Sequence, residues 1–260
     1  MAYAIVTGAS AGIGRELAKL FARDRIPLVL VARRAAELES LARDLSGAGS
    51  LDVRVVAADL STREGRAQLF EATKDLEVDI LVNNAGFGSN GRFWENDASR
   101  ELQMVDLNVG AIVELTRHYL PAMVARGRGR VLNVGSTAGF QPGPLMATYY
   151  ATKAFVNSFT EALANELAGT GVTATVSCPG PVATEFGAIA GNDKSALFKK
   201  AGGVASADWV AARAYEAMTR GEVVAVHGAR LKVAMAMGKL VPRGVLTSMA
   251  GALNKRVDGA

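Results

Sequence analysis

Cysteine occurs once in the 260 residues, at Cys178, so no disulfide can form within the chain. A crosslinked scaffold is excluded, and a reducing compartment is the natural setting. Histidine occurs only at His118 and His227, far apart and without cysteine or histidine at ligand spacing, so no metal centre is expected. No stretch approaches the roughly 18 uninterrupted apolar residues of a membrane span. No charged segment followed by an apolar one precedes the first strand-like run, so no signal peptide is expected either. These absences together lead to an expected cytoplasmic location. Acidic residues are missing between Arg230 and Arg256, where six of the 29 basic residues fall. The net charge of +4 is therefore a property of the tail. The body carries no positive excess of the kind that binds nucleic acid.

Half of the chain is hydrophobic. At this length one domain buries about three quarters of its unfolded surface, so a single core suffices without staples. No internal repeat or low-complexity linker divides the sequence, and residues 1–260 are expected to form one domain. Strand candidates are Tyr3–Thr7, Leu28–Ala32, Val53–Ala57, Ile80–Asn83, Val131–Gly135, Thr173–Cys178 and Val223–His227. Several are apolar almost throughout, as strands covered on both faces are. Between the first two, Ile13, Leu17, Leu20 and Phe21 recur at helical spacing, and similar faces run through Leu38–Leu45, Leu102–Met123 and Ala154–Leu167. Strands alternating with helices imply an α/β fold, a Rossmann-like doubly wound parallel sheet of about seven strands. Ligands on such sheets bind at the carboxyl ends of the strands.

The first strand runs into Thr7-Gly8-Ala9-Ser10-Ala11-Gly12-Ile13-Gly14, which opens a helix. Glycine permits a sharp turn and close approach of backbone to ligand. A helix N-terminus offers unpaired N–H groups and positive dipole character to a diphosphate. The spacing is Gly-x-x-x-Gly-x-Gly, which differs from the Gly-x-Gly-x-x-Gly dinucleotide fingerprint.

This turn resembles that of the short-chain dehydrogenase/reductase family, and the resemblance extends to about His227. It implies that Gly8, Ser10, Gly12, Ile13 and Gly14 hold a nicotinamide dinucleotide. In dinucleotide folds an acidic residue after the second strand favours NAD, and an arginine accommodates the 2′-phosphate of NADP. Here that strand ends in Arg33-Arg34. Guanidinium forks suit phosphate, so Arg33 is assigned to the 2′-phosphate, with Arg34 and Arg15 as possible help, and NADP(H) is expected over NAD(H). Asp59-Leu60 looks like the family's adenine-contacting pair, although Asp59 could also cap the following helix. Asn83 opens Asn83-Asn84-Ala85-Gly86, similar to the family's turn after the fourth strand, and is expected at the cofactor.

Tyr149 and Lys153 lie four residues apart, on one face of a helix. A free tyrosine ionises near pH ~10, and a neighbouring ammonium, aided by a cationic nicotinamide, would favour its phenolate and lower that value. Ser136 stands 13 residues before Tyr149 in Ser136-Thr137-Ala138-Gly139, similar to the family's serine segment. Asn108 matches a fourth family position. The resemblance implies that Tyr149 exchanges a proton with the carbonyl or alcohol oxygen and that Ser136 positions that oxygen. It implies further that Lys153 binds the nicotinamide ribose and lowers the tyrosine pKa, and that Asn108 holds a water on a proton path. Tyr150 is the competing tyrosine, but the residue four positions on from it is Ala154, so the pairing selects Tyr149. Cys178-Pro179-Gly180-Pro181-Val182-Ala183-Thr184 resembles the segment that holds the nicotinamide carboxamide, through Val182 and Thr184. Cys178 itself reads as a small buried hydrophobe.

Residues 185–205 read as a substrate loop and 230–260 as a basic, apolar C-terminal extension. In the extension Leu231, Met235, Leu240, Leu246, Met249 and Leu253 form an apolar face broken at Pro242 and Gly244. It could cover the cleft, pack on a partner subunit or rest on an anionic membrane surface. It resembles a subgroup that includes D-alanine-transfer operon dehydrogenases and long-chain 3-oxoacyl reductases, which leaves the substrate open. The family implies a homodimer or homotetramer through Leu102–Met123 and the tyrosine-bearing helix. The expected activity is NADP(H)-dependent hydride transfer to or from a small-molecule carbonyl or secondary alcohol, an apolar one included. The alternatives are a non-catalytic NADP-binding regulator on the same fold, an enoyl reductase or an epimerase.

Overall fold

The computed structural model describes residues 2–47, 51–193, 195–197, 204–238 and 240–255. Seven strands form one parallel sheet: β1 (Tyr3–Thr7), β2 (Leu28–Ala32), β3 (Val53–Ala57), β4 (Val78–Asn83), β5 (Gly129–Val134), β6 (Val172–Cys178) and β9 (Val224–Val226). Their order is β3-β2-β1-β4-β5-β6-β9. A separate two-stranded ribbon pairs β7 (Val182–Ala183) with β8 (Ala205–Ser206). The chain reverses direction of winding between β1 and β4, which creates a crevice at their carboxyl ends.

Side-chain alternation along each strand divides the interior into two layers. Ala4, Val6, Leu28, Leu30, Ile80, Val82 and Leu132 face one side, where they meet α1 (Gly12–Arg23) and α8 (Ala207–Arg220) through Leu17, Phe21, Ala214 and Met218. Ile5, Val29, Val31, Leu81 and Val131 face the other side. There they pack on α3 (Arg63–Thr73), α5 (Ala111–Arg126) and α6 (Ala147–Glu166) through Leu69, Leu115, Met123 and Leu163. Each fully buried leucine or valine stabilises the fold by about 1.5–3 kcal/mol relative to exposure. The helix α2 (Ala35–Ser46) completes the first layer with Leu38 and Leu41.

The expected helix over Leu102–Met123 is built in three parts. α4 (Ala98–Val105) continues through a π-helical turn at Asp106–Gly110 into α5. A π-turn admits one extra residue per turn and turns the side chains that follow it. Beyond β7 come a short helix α7 (Phe186–Ala190), then α8, and the C-terminal helices α9 (Ala229–Gly238) and α10 (Arg243–Asn254). The break between the last two ends at Pro242, one of the two positions where the sequence placed it, whereas Gly244, the other, lies within α10. Of the expected substrate loop, residues 194 and 198–203 lie outside the described residues, as do 239 and 256–260 of the extension.

Candidate functional site

At the switch point, Thr7 ends β1 by tying it to β4. Its hydroxyl donates to Val82 O (3.1 Å) and accepts from the amides of Asn84 (2.9 Å) and Ala85 (3.0 Å). The glycine turn follows directly. Gly8 and Gly12 adopt positive φ (66° and 54°), and a Cβ at Gly8 would come within 2.7 Å of the Asn84 amide nitrogen. No side chain caps the start of α1, and its first turn carries no acidic residue. The amides of that turn therefore remain available to an anion. By contrast, Thr62 and Asp97 cap α3 and α4 with side-chain bonds to Gly65 N and Arg100 N.

The cleft above this turn has a volume of about 420 Å³. Gly8, Ser10, Gly12, Ile13, Arg33, Asp59, Leu60, Ser136, Tyr149, Lys153, Val182 and Thr184 all line it. Three expected residues do not. Gly14 stands behind the turn, where a Cβ would meet Gly8 O at 2.4 Å, so it serves close packing of helix on turn. Asn83 points into the protein, donating from Nδ2 to Asn133 Oδ1 (2.8 Å) and Thr116 Oγ1 (3.2 Å). Its neighbour Asn84 lines the cleft in its place and donates to Thr7 O (2.8 Å). Asn108 sits in the π-turn, 1% exposed, and donates to Phe87 O (2.9 Å) and Thr152 Oγ1 (3.2 Å) while accepting from Phe87 N (3.2 Å). It thus clamps the segment that follows β4 against α6.

The two arginines after β2 have different surroundings. Arg34 pairs with Glu185 at 2.9 Å and donates to Ser10 Oγ at 3.2 Å. Arg33 forms no ion pair among the described residues and lines the cleft at its end nearest β2. Arg15 pairs with Asp44 at 3.8 Å. Asp59 does not cap α3; Thr62 does, and Asp59 instead accepts from the amide and hydroxyl of Ser61.

On α6, Lys153 is 6% exposed and donates to Val134 O at 2.6 Å, with its Nζ 5.9 Å from the centre of the Tyr149 ring. Burial lowers its pKa to about 8, an effect partly offset by Cys178. The Tyr149 phenol is also desolvated, and this pushes its pKa well above the ordinary value, while a hydrogen bond with Ser136 lowers it and Tyr150 raises it further. The sequence led to the opposite direction for Tyr149. The reason for the difference is that desolvation outweighs the other influences, and the ammonium is turned toward a backbone carbonyl. At neutral pH the phenol therefore holds its proton. Ser136 accepts from Ala138 N (3.0 Å), and its carbonyl accepts from Asn157 Nδ2 (3.1 Å). Asn157 was not anticipated, although it lies one helical turn beyond Lys153 on the same face of α6. Cys178 is fully buried, with its thiol pKa raised by burial to about 12.

The far wall is apolar. Tyr149 packs on Phe186 with ring centres 5.2 Å apart, and Met146, Tyr150, Ala190 and Ala250 form a buried cluster beside it. The extension contributes Met235 and Leu253 to the lining of the cleft. Asn254, fully buried, fastens α10 by donating to Pro144 O (3.0 Å) and accepting from the Tyr150 hydroxyl (3.2 Å). The histidines are used elsewhere: His118 stacks on Phe70 at 3.8 Å, and His227 bonds Ser177 at 2.7 Å.

Residues 2–194 match the family model described as short chain dehydrogenase. The chain belongs to the short-chain dehydrogenase family. This short-chain dehydrogenase is 37% identical over 175 residues to a very-long-chain 3-oxoacyl-CoA reductase from Coprinopsis cinerea, covering 66% of the chain and 52% of that protein. The match thus spans about half the length of that relative. Its fold superposes on a 7beta-hydroxysteroid dehydrogenase with a TM-score of 0.86 at 25% identity, covering 96% of each chain. A short-chain dehydrogenase from Sphingobium yanoikuyae in complex with NADPH gives a TM-score of 0.82 at 30% identity, covering 100% of this chain and 98% of the other. The protein is an oxidoreductase of this family, with the family's Rossmann-like sheet.

Proposed function

We propose that this short-chain dehydrogenase is an NADP(H)-dependent reductase or dehydrogenase acting on a carbonyl or secondary alcohol, with Tyr149 as its general acid and base. The observation that supports this reading best is that one cleft is lined by the glycine turn, Arg33, Ser136, Tyr149 and Lys153. The residues fit a dinucleotide. Glycines at positive φ leave room for a diphosphate beside uncapped helix amides, and Arg33, with no ion pair among the described residues, offers its guanidinium where the ribose phosphate would lie. The similar protein from Sphingobium yanoikuyae, in complex with NADPH, favours the same choice. When bound, the cofactor would supply or accept the hydride.

The remaining chemistry belongs to the side chains. Ser136 would hold the substrate oxygen by its hydroxyl. The Tyr149 hydroxyl, kept protonated by desolvation, would donate to that oxygen during reduction and recover its proton afterwards. Lys153, with a pKa near 8, would hold the ribose and remain mostly charged at neutral pH, favouring the phenolate left after proton transfer. Asn108 and Asn157 would position this group by clamping Phe87 and Ser136. A non-catalytic binder would have no use for a phenol placed between a serine and a lysine. A homodimer or homotetramer fits the apolar side chains left exposed on α4, α5 and α6, such as Leu102, Val113 and Phe155.

The test is Tyr149→Phe, assayed by NADPH absorbance with apolar ketones and by fluorescence titration of NADPH. Turnover should fall by at least about a hundredfold, the low end of what a general acid contributes, with NADPH affinity nearly unchanged. Retained turnover would refute the assigned acid.

A further inference from the structure

The substrate half of the cleft has a chemical character of its own. The charged residues among those lining the cleft are Arg33, Arg34, Asp59, Lys153 and Glu185. Four of these belong to the ends of β2 and β3 or to the Arg34–Glu185 pair, and Lys153 lies beneath Tyr149. Beyond Tyr149 the lining is mostly apolar, through Met146, Phe186, Ile189, Met235 and Leu253, with Gln141 and Tyr150 as polar members and the Tyr150 hydroxyl already bonded to Asn254. Asn192 breaks this pattern.

Asn192 lines the cleft and is 2% exposed. Its backbone is fully engaged: its amide donates to Gly187 O (3.0 Å) and its carbonyl accepts from Ser195 N (2.9 Å). The residue is therefore fixed just past the end of α7. Its side chain, by contrast, has almost nothing to bond. Nδ2 faces the thioether sulfur of Met146 at 3.4 Å, and Oδ1 has no partner among the described residues. Exchanging the two amide atoms leaves the shortage unchanged, because a thioether is a weak acceptor and no donor. Six side-chain atoms among the described residues are buried without a partner, and Asn192 Oδ1 is the one whose residue lines the cleft. A buried amide without partners is costly, and an apolar residue of similar size would stabilise this wall.

We infer that Asn192 is a specificity-determining residue whose side chain bonds a neutral hydroxyl or amide group on the substrate, away from the reacting carbonyl. The substrate class is an uncharged, largely apolar ketone or secondary alcohol that carries one such group. A hydroxyl donates to Oδ1 and accepts from Nδ2, so one group completes both halves of the amide. A carboxylate or phosphate in the same place would enter a largely apolar pocket that offers it no cation among the described residues. This inference rests on the oxidoreductase reading of the same cleft.

The experiment measures kcat/KM with NADPH for three ketones: 4-phenylcyclohexanone, 4-(4-hydroxyphenyl)cyclohexanone and 4-(4-oxocyclohexyl)benzoate. Wild-type protein should prefer the phenol over the unsubstituted ketone by roughly tenfold to a hundredfold, the range set by leaving a buried polar group unpaired. The benzoate should be the poorest. In Asn192→Leu the ratio of phenol to unsubstituted ketone should reverse, and in Asn192→Gln it should recover in part. A folding defect lowers both rates together and leaves the ratio alone, so an unchanged ratio in Asn192→Leu overturns the inference while leaving the reductase reading intact. A wild-type preference for the benzoate overturns it as well. Absence of turnover with every ketone, NADPH being bound, would remove the oxidoreductase reading and this inference with it.

Discussion

Asn254 offers the most direct test of how the C-terminal helices close the cleft. It is fully buried, its Nδ2 donates to Pro144 O, and its Oδ1 accepts from Tyr150. Its backbone carbonyl also accepts from Asn90 Nδ2 at 3.0 Å, and Ala196 N donates to Lys255 O at 3.0 Å. Asn254→Ala removes the two side-chain bonds and leaves the other two. Each buried partner left unsatisfied costs about 1–3 kcal/mol. The buried Tyr150 hydroxyl and the half-buried Pro144 O together would therefore weaken the closed position of α10 by about 2 kcal/mol. That corresponds to about a thirtyfold rise in the open population, since about 1.4 kcal/mol is a factor of ten. The sheet loses nothing, because neither bond touches a strand. Hydrogen exchange read by mass spectrometry should show peptides over Arg243–Asn254 exchanging about thirtyfold faster, with peptides over β4 and β5 unchanged. The apolar cover formed by Leu253 should open with it, raising KM for an apolar ketone more than it lowers kcat. Unchanged exchange in α10, or an equal acceleration throughout the chain, would show that Asn254 does not hold the tail as the contacts imply.

Two further expectations concern charge. Arg33→Asp should swing selectivity from NADPH toward NADH by roughly tenfold to a hundredfold, the worth of one charge-assisted bond; unchanged selectivity would mean that another cation reads the phosphate. His227 has its pKa lowered to about 4, chiefly by burial and further by Lys232 and Arg213. A folded pKa below the unfolded value gives stability that is complete above about pH 6.5 and lost as the pH falls through 4, a contribution of about 3 kcal/mol. Urea unfolding at pH 7 and pH 4.5 should show this loss in the wild type and a flatter response in His227→Gln; equal responses would refute the assignment.

The sheet was legible because its signal is local. β1, β2 and β3 fall on the residues where the alternating apolar runs placed them, and the remaining strands differ by one or two residues at their ends. Tyr149 and Lys153 were placed on one helix face by their spacing, Ser136 was singled out by the family resemblance, and all three line the same cleft. Asn83 and Asn84 show the limit. Adjacent residues after a strand point to opposite sides, and the sequence does not say which asparagine meets the cleft and which meets Asn133. The direction of the Tyr149 pKa was missed because spacing gives proximity to a lysine but not the depth of burial around the phenol. The tail was undecided for a different reason. The bonds from Asn254 to Tyr150 and Pro144 span more than a hundred residues of sequence, and no local pattern encodes such a pairing. Asn157 alone among the unforeseen positions was within reach, since Tyr149, Lys153 and Asn157 repeat at intervals of four.

Asn83, expected at the cofactor, instead helps to explain how α6 keeps its position. Asn83 Nδ2 bonds Asn133 Oδ1 and Thr116 Oγ1, Asn133 Nδ2 bonds Thr160 Oγ1 (2.9 Å), and Thr160 donates to Val156 O (2.7 Å). The chain of bonds thus runs from β4 through β5 to α6, with a branch to α5. Apolar packing alone would hold α6 against the sheet but tolerate sliding along it, because burial is non-directional. Hydrogen bonds in a buried setting tolerate no such slip without leaving a polar group unpaired. The network fixes the register of α6 about two turns from Lys153, and Asn157 fixes it again at Ser136. Under the proposed role of Tyr149, a phenol that must reach one oxygen atom needs that precision, and these asparagines would act as positioning residues where leucines would hold the helix without fixing its register.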